Sequence, residues 1–161
     1  MSAVTHAEDA HRLYAAAVGA SEGSGDWVEI TQERVNAFAD VTDDHQFIHV
    51  DPEAAARLSP WGGTIAHGFL TLSLLTALSA SIPRPPERAV GLVMGVNYGF
   101  DKVRFVAPVR VGSRVRASAV LAAADLKDPN NLQVTTTVTV EIEGEGKPAL
   151  VADWVTRLVY G

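Results

Sequence analysis

DVTDDHQFIHVDPEAAARLSPWGGTIAHGFLTLSLLTALSA, residues 40–80, falls into two unlike halves. The first packs carboxylates and two histidines, His45 and His49, into a short polar stretch. The second, after Gly62-Gly63, is a run of apolar and small residues almost free of charge. From Gly68 to Ala80 the apolar positions (Phe69, Leu70, Leu72, Leu74, Leu75, Ala77, Leu78) go nearly all the way round a helix. A helix without a polar face is normally buried on most sides. Pro83, Pro85 and Pro86 cannot continue it. The segment therefore reads as a polar loop delivered to the start of a buried helix.

On the N-terminal side, Ala7–Val18 has the spacing of a short helix with Leu13, Tyr14 and Ala17 on one side. GASEGSG (19–25) reads as a loop or linker. This divides the chain into an N-terminal helix and linker, 1–25, and a domain, 26–161. Trp27–Ile30 suits a short strand. Thr31 has N-cap chemistry, with Arg34, Val35, Phe38 and Ala39 following at helical spacing. Thr42-Asp43-Asp44 ends that helix. Asp51-Pro52 opens another, which stops at Ser59-Pro60.

After Ala89 the pattern turns to β. VGLVMGVNYGF and VRFVAPV are rich in β-branched and aromatic residues. Arg114 and Arg116 alternate with Val115 and Ala117, and LQVTTTVTVEIE alternates threonine with valine. Turn residues stand at 108–113, 128–131 and 144–148. Helices followed by four or five antiparallel strands make an α+β order. An apolar helix needs a sheet curled around it. The expected fold is a single hot-dog domain: an antiparallel sheet wrapped around a long central helix, with the 40–60 segment overhanging.

The 161 residues are 47% hydrophobic and 20% charged, an ordinary globular composition. Cysteine is absent, which excludes disulfides and thiolate catalysis. A net charge of −6 argues against nucleic acid and anionic membrane as partners. Glu8 and Asp9 stand where a secretory leader carries basic residues, and 68–82 is too short to span a bilayer. A cytoplasmic location is expected.

Asp44 and His49 are suited to general acid–base work at neutral pH. The same spacing also serves an Asx-turn and a histidine at a helix entrance. His45 and His49 have metal-ligand spacing only within a helix, and Ile48–Pro52 reads as extended, so no metal site is expected. His67-Gly68 opens the apolar helix. Its first-turn N–H groups are unpaired, and a residue without a side chain lets an oxygen approach them. Close packing explains Gly68 equally well. Asn97 and Tyr98, beside two glycines, suit a strand bulge or a pocket wall. Lys102, Arg104, Arg110, Arg114 and Arg116 suit a solvated strand face, or the mouth of a pocket for a phosphate-bearing ligand.

Taken together, DDHQFIHVDPEAA and GGTIAHGFLTLSLLT resemble the MaoC-like (R)-specific enoyl-CoA hydratases. ADVTDDHQFIHVDP and NYGFDKVRFVAPVRVGSRVRA bring the chain nearer to the nodulation-protein-N-like branch. The likeness covers about residues 27–158. It implies a hydratase/dehydratase acting on a trans-2-enoyl thioester of coenzyme A or an acyl carrier protein. No cofactor is implied beyond the pantetheine that the substrate carries. Asp44 and His49 would be the catalytic pair and the Gly68 N–H an oxyanion donor, with His67, Thr76, Phe47 and Asn97 beside the substrate. Thr76 stands where the family often has serine, and Gln46-Phe47 where it usually has Asn-Pro; Phe47 would narrow the pocket. The resemblance also implies a homodimer. A hot-dog thioesterase and a non-catalytic acyl-binding protein are the alternatives.

Overall fold

The computed structural model describes residues 4–161. Six strands form one antiparallel sheet: β1 (Ser21–Ser24), β2 (Val28–Glu29), β3 (Leu92–Phe105), β4 (Arg114–Asp128), β5 (Asn131–Ile142) and β6 (Leu150–Tyr160). Their order is β1-β4-β5-β6-β3, with β2 also on β4. The alternation read from the sequence governs β4 and β5. Val115, Ala117, Ala119 and Leu121 are buried, as are Leu132, Val134, Val138, Val140 and Ile142. Arg114 and Arg116 face outward and pair across strands with Glu143 and Glu141. The basic residues of β4 thus serve a solvated sheet face.

The two segments expected as separate strands, 90–100 and 103–109, share one long edge strand, β3. It stays paired to β6 through three register shifts, one of them at Asn97/Gly99 where a bulge was foreseen. Extra residues in an edge strand bend it and raise its twist.

The apolar stretch 68–80 lies against the sheet as two helical segments, α5 (Gly68–Ser73) and α6 (Leu75–Ser79), where the sequence suggests one long helix. The Ser73 hydroxyl donates to the Phe69 carbonyl at 2.7 Å, a back-bond that bends helices. The ladder nevertheless continues: Leu74 N–H reaches Leu70 C=O at 3.0 Å and Leu78 N–H reaches Leu74 C=O at 2.8 Å. Leu70, Leu75 and Leu78 enter the main core with Val115, Val138, Val140 and Leu150. The helix is not covered all round, because Phe69 is 67% exposed.

Residues 4–25 pack as part of the same body. Helix α1 (His6–Ala16) starts at a Thr5/Glu8 capping box. Its Ala7, Ala10 and Tyr14 form a second core with Leu121, Leu132, Val134, Leu158 and Tyr160. Leu13, expected on the packed side, is 41% exposed. The stretch expected as linker holds β1. One of its glycines serves contact: a Cβ on Gly25 would lie 2.2 Å from the Leu78 carbonyl oxygen, so only glycine lets the chain pass α6 there.

Candidate active site

Three short helices bring the polar half of the 40–80 segment to the start of α5. Helix α2 (Gln32–Thr42) is capped by Thr31, whose hydroxyl accepts from Arg34 N–H at 3.2 Å. It ends at Asp43, which takes a left-handed φ of 58°, tolerated by Asp better than by most residues. That turn leads directly to Asp44. Helix α3 (Phe47–Val50) carries His49 inward, and α4 (Pro52–Leu58) begins at an Asp51 cap with proline in its first turn. Ile65 N–H donates to Ile48 C=O at 3.0 Å and ties this overhang to the strand-like entry of α5.

His49 is 7% exposed. Its Nδ1 lies 2.7 Å from the Ile65 carbonyl oxygen. A carbonyl only accepts, so Nδ1 carries the proton and Nε2 keeps its lone pair. Burial pushes the His49 pKa down. The Ile65 hydrogen bond opposes this, His67 adds to it, and the Asp44 charge opposes it. The ring is therefore a neutral base at neutral pH.

His67 is 2% exposed and stacks on His49, with ring centroids 3.8 Å apart and planes at 27°. Its Nε2–H donates to the Asp44 backbone carbonyl at 2.9 Å, and Phe38 packs on it at 5.0 Å. A carboxylate oxygen of Asp44 and one nitrogen each of His49 and His67 all lie within 4.8 Å of one another. Asp44 itself is exposed. A base, a carboxylate and a fixed backbone thus meet at one point open to a ligand.

Gly68 begins α5 beside them. A Cβ there would sit 3.0 Å from the Phe105 ring, so glycine is needed where that ring closes on the helix start. His49, Gly68, Thr71, Phe105, Val109 and Ala149 line a cavity of about 270 Å³. Thr71 and Phe105 escaped the sequence reading. Thr71 lay hidden inside an apolar run, and nothing local connects Phe105 to Gly68.

The other expected positions are elsewhere. Thr76 and Asn97 line a second cavity of about 260 Å³, at the far end of α5–α6. His67, like Asp44, is absent from both linings; the extended backbone at the helix cap turns it between Phe38 and His49. Phe47 is 38% exposed at the start of α3 and lines neither cavity. His45 bonds Asp40 at 2.9 Å on the surface. The Ile48–Val50 stretch, read as extended, is a helical turn.

Residues 14–143 match the family described as MaoC like domain. The chain belongs to the MaoC-like family. It is 51% identical to Nodulation protein N of Rhizobium leguminosarum bv. viciae, covering 89% of this chain and 87% of that protein. It is 52% identical to 3-hydroxyacyl-thioester dehydratase Z of Mycobacterium tuberculosis, covering 90% and 93%. Among solved structures, this MaoC-like chain is similar to the (R)-hydratase from A. caviae involved in PHA biosynthesis, with a TM-score of 0.68, 26% identity, and coverage of 86% and 94%. The expected hot-dog fold and the nodulation-protein-N-like kinship both hold.

Proposed function

We propose that this MaoC-like protein is a hydro-lyase that interconverts trans-2-enoyl and (R)-3-hydroxyacyl thioesters. The observation that carries the reading is the meeting of the Asp44 carboxylate with a buried, neutral His49 beside the start of α5. The 52% identity to a 3-hydroxyacyl-thioester dehydratase supports it.

In the hydration direction, Asp44 and His49 Nε2 hold one water between them. As its oxygen bonds to C3, its proton passes to this pair. The C2–C3 π electrons move onto the thioester oxygen as an enolate, where the Gly68 N–H meets the charge as it develops. C2 then takes a proton from the same pair, and the site returns to its starting state. Dehydration is the reverse. His49 must be neutral to begin, and its burial keeps it so. Atoms of one water are added and no electrons are gained or lost, so the step calls for no redox cofactor. A metal is not required either.

The test is the decay of conjugated-enoyl absorbance when the protein is added to trans-2-butenoyl-CoA. Asp44→Asn and His49→Ala should each lower kcat by about 10²–10⁴-fold with the fold intact by circular dichroism. Release of free thiol in place of hydration would move the protein to the thioesterases.

We further propose that the protein is a cytoplasmic homodimer handling acyl thioesters of coenzyme A or a carrier protein in lipid metabolism. No helix among the described residues is long and apolar enough to cross a membrane. Edge strand β3 leaves Val93 66%, Val96 45% and Tyr98 63% exposed, so both its faces offer apolar surface. An unpaired edge of this kind invites a second strand. Light scattering should give twice the chain mass, and Val96→Lys should lower it; a monomeric wild type would end this part of the reading.

A further inference from the structure

The two stacked histidines carry a pattern that the proton transfers do not use. His49 gives its Nδ1–H to the Ile65 carbonyl at 2.7 Å, and His67 gives its Nε2–H to the Asp44 backbone carbonyl at 2.9 Å. A carbonyl only accepts, so each neutral ring keeps a lone pair on its other nitrogen. For His49 that nitrogen is Nε2. For His67 it is Nδ1, which is buried with no hydrogen-bond partner, in a residue 2% exposed. A buried acceptor without a donor is unfavourable, and the hydration steps give His67 Nδ1 nothing to do.

The groups around that lone pair are themselves acceptors. One nitrogen of each imidazole and one carboxylate oxygen of Asp44 lie within 4.8 Å of one another. None of the three satisfies another, whereas a cation satisfies them together. A histidine that ligates a metal is oriented, and its tautomer set, by giving its other N–H to a carbonyl or carboxylate. Both histidines are held in this way. Asp44 is exposed, so its carboxylate is free to turn toward them. Ligand atoms about 2.1 Å from a tetrahedral zinc ion stand roughly 3.4 Å apart, so side-chain rotation closes the present spacing.

The donor set narrows the ion. Two imidazole nitrogens and a carboxylate suit zinc and its first-row neighbours, while magnesium and calcium take oxygen ligands. We propose that Asp44, His49 and His67 form a site for one divalent transition ion of the zinc class, which while bound takes the groups that hold the reacting water and stops hydration. The ion is an inhibitor here, not a cofactor. The site stands on the three side chains; its effect on turnover rests on the hydro-lyase reading above.

Binding and turnover are measured separately. The full chain, treated with EDTA and exchanged into chelator-free buffer, is titrated with zinc chloride by calorimetry, and with cobalt(II) chloride, whose visible absorption strengthens in a tetrahedral site. One zinc ion binds per chain, and magnesium chloride gives no binding heat. Asp44→Asn and His67→Phe each weaken zinc at least tenfold with circular dichroism unchanged. His45→Ala, at the surface pair with Asp40, leaves the affinity as it was. Saturating zinc abolishes hydration of trans-2-butenoyl-CoA, and EDTA restores it. No zinc binding, an affinity unmoved by both site substitutions, hydration undiminished at full occupancy, or hydration that requires zinc overturns the inference. A chain that fails to hydrate the thioester even without zinc ends the hydro-lyase reading, and calorimetry then decides the ion site by itself.

Discussion

The two ends of α5–α6 carry similar amounts of empty space and opposite chemistry. At the start of α5, both imidazole protons have been spent. His49 gives its Nδ1–H to Ile65, His67 gives its Nε2–H to the Asp44 backbone, and what remains is the lone pairs of His49 Nε2 and the buried His67 Nδ1, with one carboxylate beside them. At the far end, the Ser79 hydroxyl is buried with no partner. A reacting group must be held before the substrate arrives, since reorganisation during the reaction adds to the barrier. A recognition surface must keep its valences open, because a group already satisfied by its own protein has nothing to select with.

This contrast can be broken most directly at Gly68. Gly68→Ala sets a methyl against the Phe105 ring and blocks close approach to the helix start. We expect kcat to fall roughly 10²-fold for short and long chains alike. A loss confined to long chains would mean that the near end is a recognition surface. His67→Phe sharpens the same point. It preserves the stack on His49 but removes the donor to Asp44, so the loop carrying the carboxylate loses its anchor. A drop in kcat of about tenfold with little change in KM is expected, since small misplacements of a catalytic group are costly. An unchanged kcat would show the hydrogen bond to be packing alone.

The smallest effect is in pH. Because burial depresses the His49 pKa, the folded protein holds this proton less readily than the unfolded chain. Stability from this group is full above the ordinary histidine value of about 6.5 and is lost as pH falls from there through the depressed folded value. Activity that needs neutral His49 should fade over the lower part of the same range. Denaturant unfolding across this window, compared with His49→Gln, checks the sign: the variant should show the shallower decline.

Much of this was legible in the residues. Thr31, Asp51-Pro52 and Ser59-Pro60 bounded their helices by cap and proline chemistry, which is local. The β4 and β5 alternation was explicit because each strand has one buried face. Asp44, His49 and Gly68 could be singled out since their chemistry is written in the residue types. What failed depended on contacts distant in sequence. The Gly19–Gly25 stretch has linker composition, yet Gly25 is small because the Leu78 carbonyl passes it. His67 looked like a partner of Gly68 in binding, but its neighbours Phe38 and His49 come from another part of the chain. Thr76 and Asn97 belong to a cavity whose walls come from both ends of the sequence. The break at Leu74 follows from one serine hydroxyl turning back on its own helix, which periodicity does not record.

Helix α1 has a consequence for how the chain is made. It precedes β4, β5 and β6 in the chain, yet the surface that covers its apolar face is assembled from them. His11 meets Ala124 across 113 residues, and the Tyr160 hydroxyl closes on the Arg88 carbonyl at 2.9 Å beneath Tyr14. During translation that face must wait, exposed, until the strands that shelter it have left the ribosome. A chain lacking β6 therefore exposes two surfaces at once, an uncovered helix and unpaired strands.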